Sequence, residues 1–344
     1  AARWTDRRAQ ANGRLTVDLY EEARRLTLDI VLRVTFGTRV ERSDELSDVI
    51  GQFISQTVNV ANEVPPWWAV GLSLPYRRVK VLLPKIREII TEIVAQRRVQ
   101  LAAGEDIADG DLLGELLTQQ EGRDMSDDDI LYVLFDVIIA GSDTTASTIA
   151  AMIFCFYQED EVFANVRAEL ERAGPLDDLT LDDVDEKLPY LQACVKETLR
   201  LYPPVPMVGR KCVATDELAG YLVPEGATMA WSPWFLGRDA KQWREPVDAF
   251  RPERWDMEDA LWSTTPAGEV RHEFAWLPFG AGARGCLGRR LGVTEATVGA
   301  AYLLKLFDYR FERIEKPLKF TYDLTLNLQG RCMAQVEPKK APAR

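Results

Sequence analysis

Histidine is nearly absent: the 344-residue chain has one, His272, and only five cysteines. One imidazole excludes a multi-histidine metal site, and five cysteines spread over this length make neither a disulfide framework nor a tandem zinc module. Sparse, odd-numbered cysteines suit a reducing, intracellular compartment. Positive charge is also in deficit, with 42 Lys and Arg against 54 Asp and Glu and a formal net charge of -12. Without a long Lys/Arg block a nucleic-acid partner is excluded, because phosphate binding draws on clustered basic charge. The start, Ala1-Ala2-Arg3-Trp4, has no initiator Met and no apolar signal segment, and reads as a chain met part-way through an element. Hydrophobic content of 47% is ordinary for a packed globule.

Periodicity makes the chain mainly α with a smaller β part. Helical spacing runs from Leu15 to Phe36 and stops at Gly37; Trp67 to Pro75 is a turn-rich break. Val79 to Leu101 is amphipathic, with Lys80, Lys85, Arg87, Glu92, Arg97 and Arg98 expected on its outer face, and Leu112 to Gln119 is a short helix. A long central helix over about 127–157 opens with Ser126 and Asp129, which resemble a capping box. Read as transmembrane, it would bury Asp136 and Asp143 at roughly 2.5 to 3.5 kcal/mol each, so a buried central helix is the better reading. Helices over Asp160 to Ala173 and Asp182 to Tyr202 come next, the second stopped by Pro203-Pro204. Short strands are expected at Lys211 to Ala214, Tyr221 to Val223 and Thr228 to Ser232. A last helix covers Arg289 to Phe307, and Tyr309 to Val336 alternates like a hairpin with Gln329-Gly330 near its turn. The whole divides into a helical part (1–202), a β and loop part (203–278), a glycine-rich loop with its helix (279–308) and a terminal hairpin (309–344), all within one domain.

The densest stretch is Phe279-Gly280-Ala281-Gly282-Ala283-Arg284-Gly285-Cys286-Leu287-Gly288. Gly280, Gly282 and Gly285 match GxGxxG, between a possible strand at Phe274 to Leu277 and a helix. That alone is a weak dinucleotide signal, and the rest of the chain beyond it supplies no further βαβ unit. The other reading starts from Cys286, which precedes a helix N-terminus beside Arg284, Arg289 and Arg290. Amide N–H groups, the helix dipole and nearby cations make this a setting for a sulfur ligand or nucleophile. A Cys/His hydrolase needs a base that one distant histidine barely offers. A single thiolate suffices as axial ligand of a haem iron.

Phe279-x-x-Gly282-x-Arg284-x-Cys286-x-Gly288 resembles the cysteine-ligand loop of the cytochrome P-450 haem-thiolate monooxygenases. Three more motifs stand in that family's order. Ala140-Gly141-Ser142-Asp143-Thr144-Thr145 resembles the oxygen-activation segment of its long helix, Glu197-Thr198-Leu199-Arg200 its ExxR, and Phe250-Arg251-Pro252-Glu253-Arg254-Trp255 its PERF segment. The resemblance covers nearly the whole chain. It implies that family's fold without the early helices and most of the main sheet, and heme b (iron protoporphyrin IX) as cofactor. Trp4 and Arg8 imitate the family's WxxxR, but Gly13-Arg14-Leu15 comes too soon after them, so Trp4 reads as ordinary packing. Arg238-Asp239 succeeds Gly237 where many members carry His-Arg-Asp.

Site roles derive from the same resemblance. Cys286 is the axial iron ligand; Arg284 and Arg210 sit on the propionates, although Arg210 alone would read as a solvated strand-edge residue. Phe279 shields the sulfur, with Gly282, Ala140 and Gly141 also against the cofactor. Asp143 and Thr144 are the catalytic pair: Thr144 hydrogen-bonds the oxygen being activated and Asp143 feeds protons, across a loosened turn at Gly141 to Thr144. The alternative for such hydroxyls is a bond back to an i−4 carbonyl, accepted for Ser142 and Thr145. The acid-alcohol pair favours monooxygenation over peroxide rearrangement. Glu197 and Arg200, at i,i+3, would by themselves be a surface pair worth at most about 1 kcal/mol; with Arg254 the resemblance makes them a buried network. Ile138, Val205, Met207, Val208 and Leu326 line the substrate, and His272 is a loop residue.

These lining positions are apolar, so a lipophilic substrate is expected; the segments Leu188 to Pro206, Val223 to Gly226 and Trp234 to Arg238 resemble those of plant and algal members that hydroxylate fatty-acid chains, with carotenoid hydroxylases second, which implies a fatty-acid-like or carotenoid-like substrate. The resemblance further implies O2 as co-substrate and electrons from NADPH through a separate flavin reductase or ferredoxin, expected to dock on the cysteine side at Arg289, Arg290 and Lys305. Membrane association is expected only through a preceding segment, which in the parent protein would address the endoplasmic reticulum or a plastid. Two competing readings remain, an inactive fragment or non-catalytic haem-binding protein, and more remotely a dinucleotide-binding protein.

Overall fold

Asp18 ends a strand and starts a helix. In the computed structural model, which describes residues 15–37, 42–104, 110–120, 122, 124–176, 179–311, 320–322, 325–328 and 332–339, β1 (Leu15–Asp18) alternates buried and exposed side chains. The Asp18 carboxylate then accepts the Tyr20 N–H at 3.2 Å and caps α1 (Leu19–Phe36), which closes on Gly37 at φ 66°. The expected helix from Leu15 therefore loses its first turn to a strand, because a capping carboxylate serves N–H groups on its C-terminal side alone. Trp4, Arg8, Gln329 and Gly330 lie outside the described residues.

The chain divides into two compact units, one over residues 17–147 with 321–324, the other over 148–320 with both chain ends. In the first, α2 (Ser43–Ala61) was not expected, although Leu46, Val49, Ile50, Phe53 and Ile54 carry helical spacing. It packs on α3 (Leu74–Ala102), which the Ser73 hydroxyl caps at the Tyr76 N–H, 3.0 Å. With α1, α4 (Leu112–Gln119) and the start of α5 (Asp127–Phe156) they bury one core that includes Leu28, Leu32, Phe36, Ile50, Ile86, Leu134 and Ile138. Arg97, expected on the outer face of α3, is 6% exposed. It pairs with Asp111 at 2.9 Å and donates to the Phe36 carbonyl. Asp111 in turn caps α4 at the Gly114 N–H, 2.8 Å, so a single buried ion pair joins three elements.

Ser126 and Asp129 form the expected reciprocal cap of α5, with Ser126 N–H to Asp129 Oδ2 at 2.9 Å and Asp129 N–H to Ser126 Oγ at 3.2 Å. Thirty residues give α5 a length of about 45 Å. Among the described residues it is the one helix long and apolar enough to cross a membrane, and 72% of its most apolar stretch is buried inside the protein.

In the second unit, α6 (Asp160–Ala173) is succeeded by two helices where one was expected: α7 (Leu181–Lys187) and α8 (Pro189–Leu201). Proline at 189 cannot donate to the preceding turn, so the chain breaks at Leu188. Leu188 offers no side-chain cap, and the buried Glu169 carboxylate of α6 substitutes by accepting the Tyr190 and Leu191 N–H groups at 2.7 and 2.8 Å. Next come β2 (Val208–Lys211), β3 (Asp216–Leu218), β4 (Tyr221–Val223) and β5 (Thr228–Trp231). The first strand begins three residues before the expected Lys211, because β2 takes its register from β5, with Val208 opposite Trp231. One-turn helices α9 (Pro233–Leu236) and α10 (Ala260–Ser263) precede the long α11 (Arg289–Leu306). β6 (Phe307–Phe311) pairs antiparallel with β9 (Met333–Pro338), and Leu15 and Thr16 of β1 lie on the far side of β9. Between them β7 (Phe320–Tyr322) and β8 (Leu326–Leu328) make a two-stranded ribbon, so the tail is a pair within a sheet plus a ribbon where one hairpin was expected.

Replacing Asp111 by Ala strands the Arg97 guanidinium in the core and uncaps α4. The expected loss in urea unfolding is about 3–5 kcal/mol, against less than about 1 kcal/mol for Asp128→Ala, whose partner Arg87 is solvent-exposed.

Candidate functional site

Glu197 is fully buried on α8 and is surrounded by donors. Arg200, one turn on, donates Nε to Oε2 at 2.8 Å and Nη2 to Oε1 at 2.7 Å, the two-pronged geometry a guanidinium makes with a carboxylate. The Trp255 indole donates to Oε2 at 3.0 Å and the Arg251 N–H to Oε1 at 2.9 Å. Arg254 Nε stands 3.4 Å from Oε1, while its Nη2 donates to the Pro246 carbonyl at 2.9 Å. Arg200 reaches onward to the carbonyls of Gly237 and Val247 at 2.6 and 2.7 Å and of Ala249 at 3.1 Å. Gly237 has to be glycine here, because a Cβ would lie 2.2 Å from the Arg200 carbonyl oxygen.

Two guanidinium groups thus share one carboxylate in the interior, which excludes the surface-pair reading of Glu197 and Arg200. Desolvation pulls the Arg254 guanidinium down to about 10, against the opposing pull of Glu197. Arg271 is likewise lowered to about 10 by burial; it donates to the Arg254 carbonyl at 2.6 Å and lies 4.5 Å from the Trp243 ring. Trp255 and Gly237, read from the sequence only as members of motif stretches, and Arg271, not picked out there, belong to this arrangement. The two tryptophans and Arg271 meet only through tertiary contacts.

The glycine-rich loop is folded on itself. The Cys286 N–H donates to the Phe279 carbonyl at 2.8 Å and the Gly285 N–H to the Gly282 carbonyl at 3.0 Å, around a 3-10 turn at Gly282–Arg284. Gly280 and Gly282 adopt φ of 65° and 66°, which side chains resist. The expected strand at Phe274 to Leu277 is instead a 3-10 turn at Glu273–Ala275, capped by the His272 ring at the Phe274 N–H. A dinucleotide βα turn therefore lacks its strand. Phe279 packs edge-to-face on Trp276 at 6.0 Å, and the Arg289 guanidinium is 5.9 Å from the Phe279 ring.

The loop presents Cys286 outward, whereas the other four cysteines are buried. Among the described residues no cluster of three or more His, Cys, Asp or Glu is placed to hold a bare metal ion. One exposed sulfur can serve as protein ligand to a metal that arrives already chelated, as in haem. Leu287 beside it is 98% exposed, an apolar side chain suited to an apolar macrocycle. Arg284 is exposed and has no carboxylate partner among the described residues; Arg210, on β2, is exposed, bonds its own strand at the Gly209 carbonyl and lies 5.1 Å from the Trp231 ring. Two such cations suit two propionates. The residues present fit haem.

Val205 and Val208 are half-buried and Met207 is 62% exposed. The Leu326 N–H donates to the carbonyl of Pro204, next to Val205, at 2.8 Å. Ile138 is fully buried in the core of the first unit, among other apolar side chains. In that unit α5 also carries Ala140, Gly141, Asp143 and Thr144. The loosened turn expected there is absent, since α5 is continuous α-helix from 127 to 156. Its hydroxyls fold back without breaking it, Ser142 Oγ onto the Ile138 carbonyl and Thr144 Oγ1 onto the Ala140 carbonyl, both at 2.7 Å. Asp143 is 2% exposed and accepts from the Tyr20 hydroxyl. Lys305 does not share the Cys286 end of α11: it is sixteen residues beyond Arg289, about 24 Å along the helix, where it donates to the Gly174 carbonyl.

Glu295, nine residues after Cys286 on α11, is 5% exposed and its Oε1 has no hydrogen-bond partner. Burial pushes its carboxyl up to about 8. The sequence signal for it is an acid among the small apolar residues of α11.

A cytochrome P450 family model matches residues 2–330. Cytochrome P-450 71D18 of Mentha gracilis is 29% identical over 312 residues, 87% of this chain and 60% of its own length. Dolabradiene monooxygenase of Zea mays is 29% identical over 319 residues, 90% of this chain and 62% of its own. The chain spans about 60% of the length of these curated relatives. The crystal structure of the cytochrome P450DA heme domain has the same fold, with a TM-score of 0.78 at 23% identity, covering 95% of this chain and 69% of that one.

Stability measurements test both buried carboxyl groups. Glu197→Ala leaves two buried guanidinium groups without their carboxylate and is expected to cost about 3–5 kcal/mol or to abolish folding of this unit, read by thermal unfolding. For Glu295, the folded state holds a proton that the unfolded chain has released between the ordinary value of 4.5 and about 8. Wild-type stability therefore falls as pH rises through that window. Glu295→Gln has no such penalty, so its stability relative to wild type is expected to gain on the order of 2–4 kcal/mol between pH 5 and pH 8, measured by urea unfolding at both values.

Proposed function

The chain belongs to the cytochrome P-450 family, and from that premise we propose that the protein is a haem-thiolate monooxygenase acting on a lipophilic substrate. One atom of O2 enters the substrate and the other leaves as water, with two electrons and two protons consumed. The observation that carries this reading is the outward-facing Cys286 thiol in its self-bonded loop. When bound, haem supplies the iron at which dioxygen is activated.

The chain's own residues divide the remaining work. Cys286 would be the iron's protein ligand, with Phe279 and Gly282 shaping the loop around the sulfur. Arg284 and Arg210 would hold the haem propionates through their guanidinium groups. Thr144, whose hydroxyl bonds the Ala140 carbonyl, would offer that hydroxyl to the oxygen being activated, and Asp143 would hold the proton to be delivered on its carboxyl group. Ala140 and Gly141 keep side-chain bulk away from that stretch of α5. Val205, Met207, Val208 and Leu326 offer an apolar lining that suits a lipophilic molecule, and the resemblance to plant and algal hydroxylases makes a fatty-acid-like or carotenoid-like one the proposed class. Electrons arrive from NADPH through a flavin reductase or ferredoxin that docks at Arg289 and Arg290, both exposed at the start of α11.

The reduced protein with carbon monoxide is expected to show a thiolate-type Soret band that Cys286→Ser abolishes; retention of the band in the variant would remove Cys286 as ligand. Thr144→Ala is expected to keep the band and to lower product formed per electron by about 10²-fold, the scale of a lost proton-transfer group. Product analysis against a panel of fatty acids and carotenoids tests the substrate class.

A further inference from the structure

Helix α1 grips the catalytic stretch of α5 along one face. Tyr20, Thr27 and Val31 are spaced seven and four residues apart, so they align on that helix. Thr27, fully buried, donates its hydroxyl to the Ser142 carbonyl at 2.7 Å. Val31 lies against Gly141, where a Cβ would come within 2.9 Å of its Cγ2. The Tyr20 phenol donates to Asp143 Oδ1. Three consecutive residues of α5, 141 to 143, are thereby each fixed by α1.

A carboxylate as buried as Asp143 needs hydrogen-bond donors, because its charge is otherwise uncompensated. It also has to aim. A carboxyl group can rotate and can carry its proton on either oxygen, and a relay works only from one of them. Thr27 and Val31 fix the height and rotation of α5 at this point, and Tyr20 fixes the carboxyl on that frame. We propose that Tyr20 is the positioning residue of the proton relay, holding the Asp143 carboxyl group in one orientation through its bond to Oδ1. This rests on the reading of Asp143 as proton donor. A phenol is suited to the task, since it donates to the carboxylate without bringing a second permanent charge into the helix interface.

The test combines a spectrum with a split between binding and turnover. The phenolic C–O stretch of Tyr20, identified as the infrared band lost in Tyr20→Phe, is expected to shift in Asp143→Asn, with no need of turnover. In the haem-loaded full chain, Tyr20→Phe is expected to leave the carbon monoxide spectrum and the substrate dissociation constant unchanged. Product formed per electron should fall by about tenfold, with the difference appearing as hydrogen peroxide. Thr27→Val, which loosens α1 without touching Asp143, is expected to lower thermal stability while leaving the phenol band in place. If Asp143→Asn loses product and Tyr20→Phe does not, the positioning role falls and the relay stands. If Asp143→Asn itself keeps wild-type coupling, the relay reading falls, and the band shift then reports a contact without that role. An unshifted phenol band overturns the Tyr20–Asp143 bond directly.

Discussion

A single buried carboxylate, Glu197, ties together the segments that carry the cysteine loop. It accepts from Arg200 on its own helix, from the Trp255 indole and from the Arg251 backbone. Through Arg200 it reaches the carbonyls at 237, 247 and 249, and through Arg254 the one at 246. These carbonyls lie in irregular chain, where no helix or sheet ladder satisfies them. Burying such a segment requires donors brought from elsewhere, and guanidinium groups, with five N–H bonds each, bring the most per side chain. The cost is two cations in a low-dielectric interior, and the carboxylate between them makes that tolerable.

The cysteine loop is built the opposite way. It needs no partner from a distance, since Cys286 and Gly285 close it by their own N–H groups and two glycines take the left-handed turns. A self-sufficient loop can leave its sulfur and its neighbouring apolar side chain outside, ready for a planar group with propionates at its edge. A rigid irregular segment held by Glu197 and a short closed loop after it are two solutions to one requirement: holding backbone still without regular secondary structure.

In the other unit, the stillness comes from helix on helix. α5 stays regular through Ser142, Asp143 and Thr144, because the hydroxyls bond back along the helix and α1 supports the buried side. Polar residues inside a long apolar helix are the part of the fold where local propensity and position disagree most. They persist here because each has a partner, and such partnered conflicts gather at functional stretches.

Much of this was open to reading from residue order alone. The caps at Ser126 and Asp129, the bounds of the helices at 112–119 and 160–173, and the loop around Cys286 come from short-range chemistry, because a cap or a tight turn involves residues within three or four positions. The i,i+3 spacing of Glu197 and Arg200 was equally visible, but two residues on one helix face do not reveal whether that face meets water or protein. Burial, the Trp255 and Arg271 contacts, the inward turn of Arg97 and the absorption of Ile138 into the core depend on what packs from elsewhere in the chain. So does the bond between Tyr20 and Asp143, 123 residues apart. Sequence determines which chemical groups are present and how neighbours on one element are spaced; tertiary structure alone decides which of them lose water, and it is the loss of water that gives charges and hydrogen bonds their strength and their role.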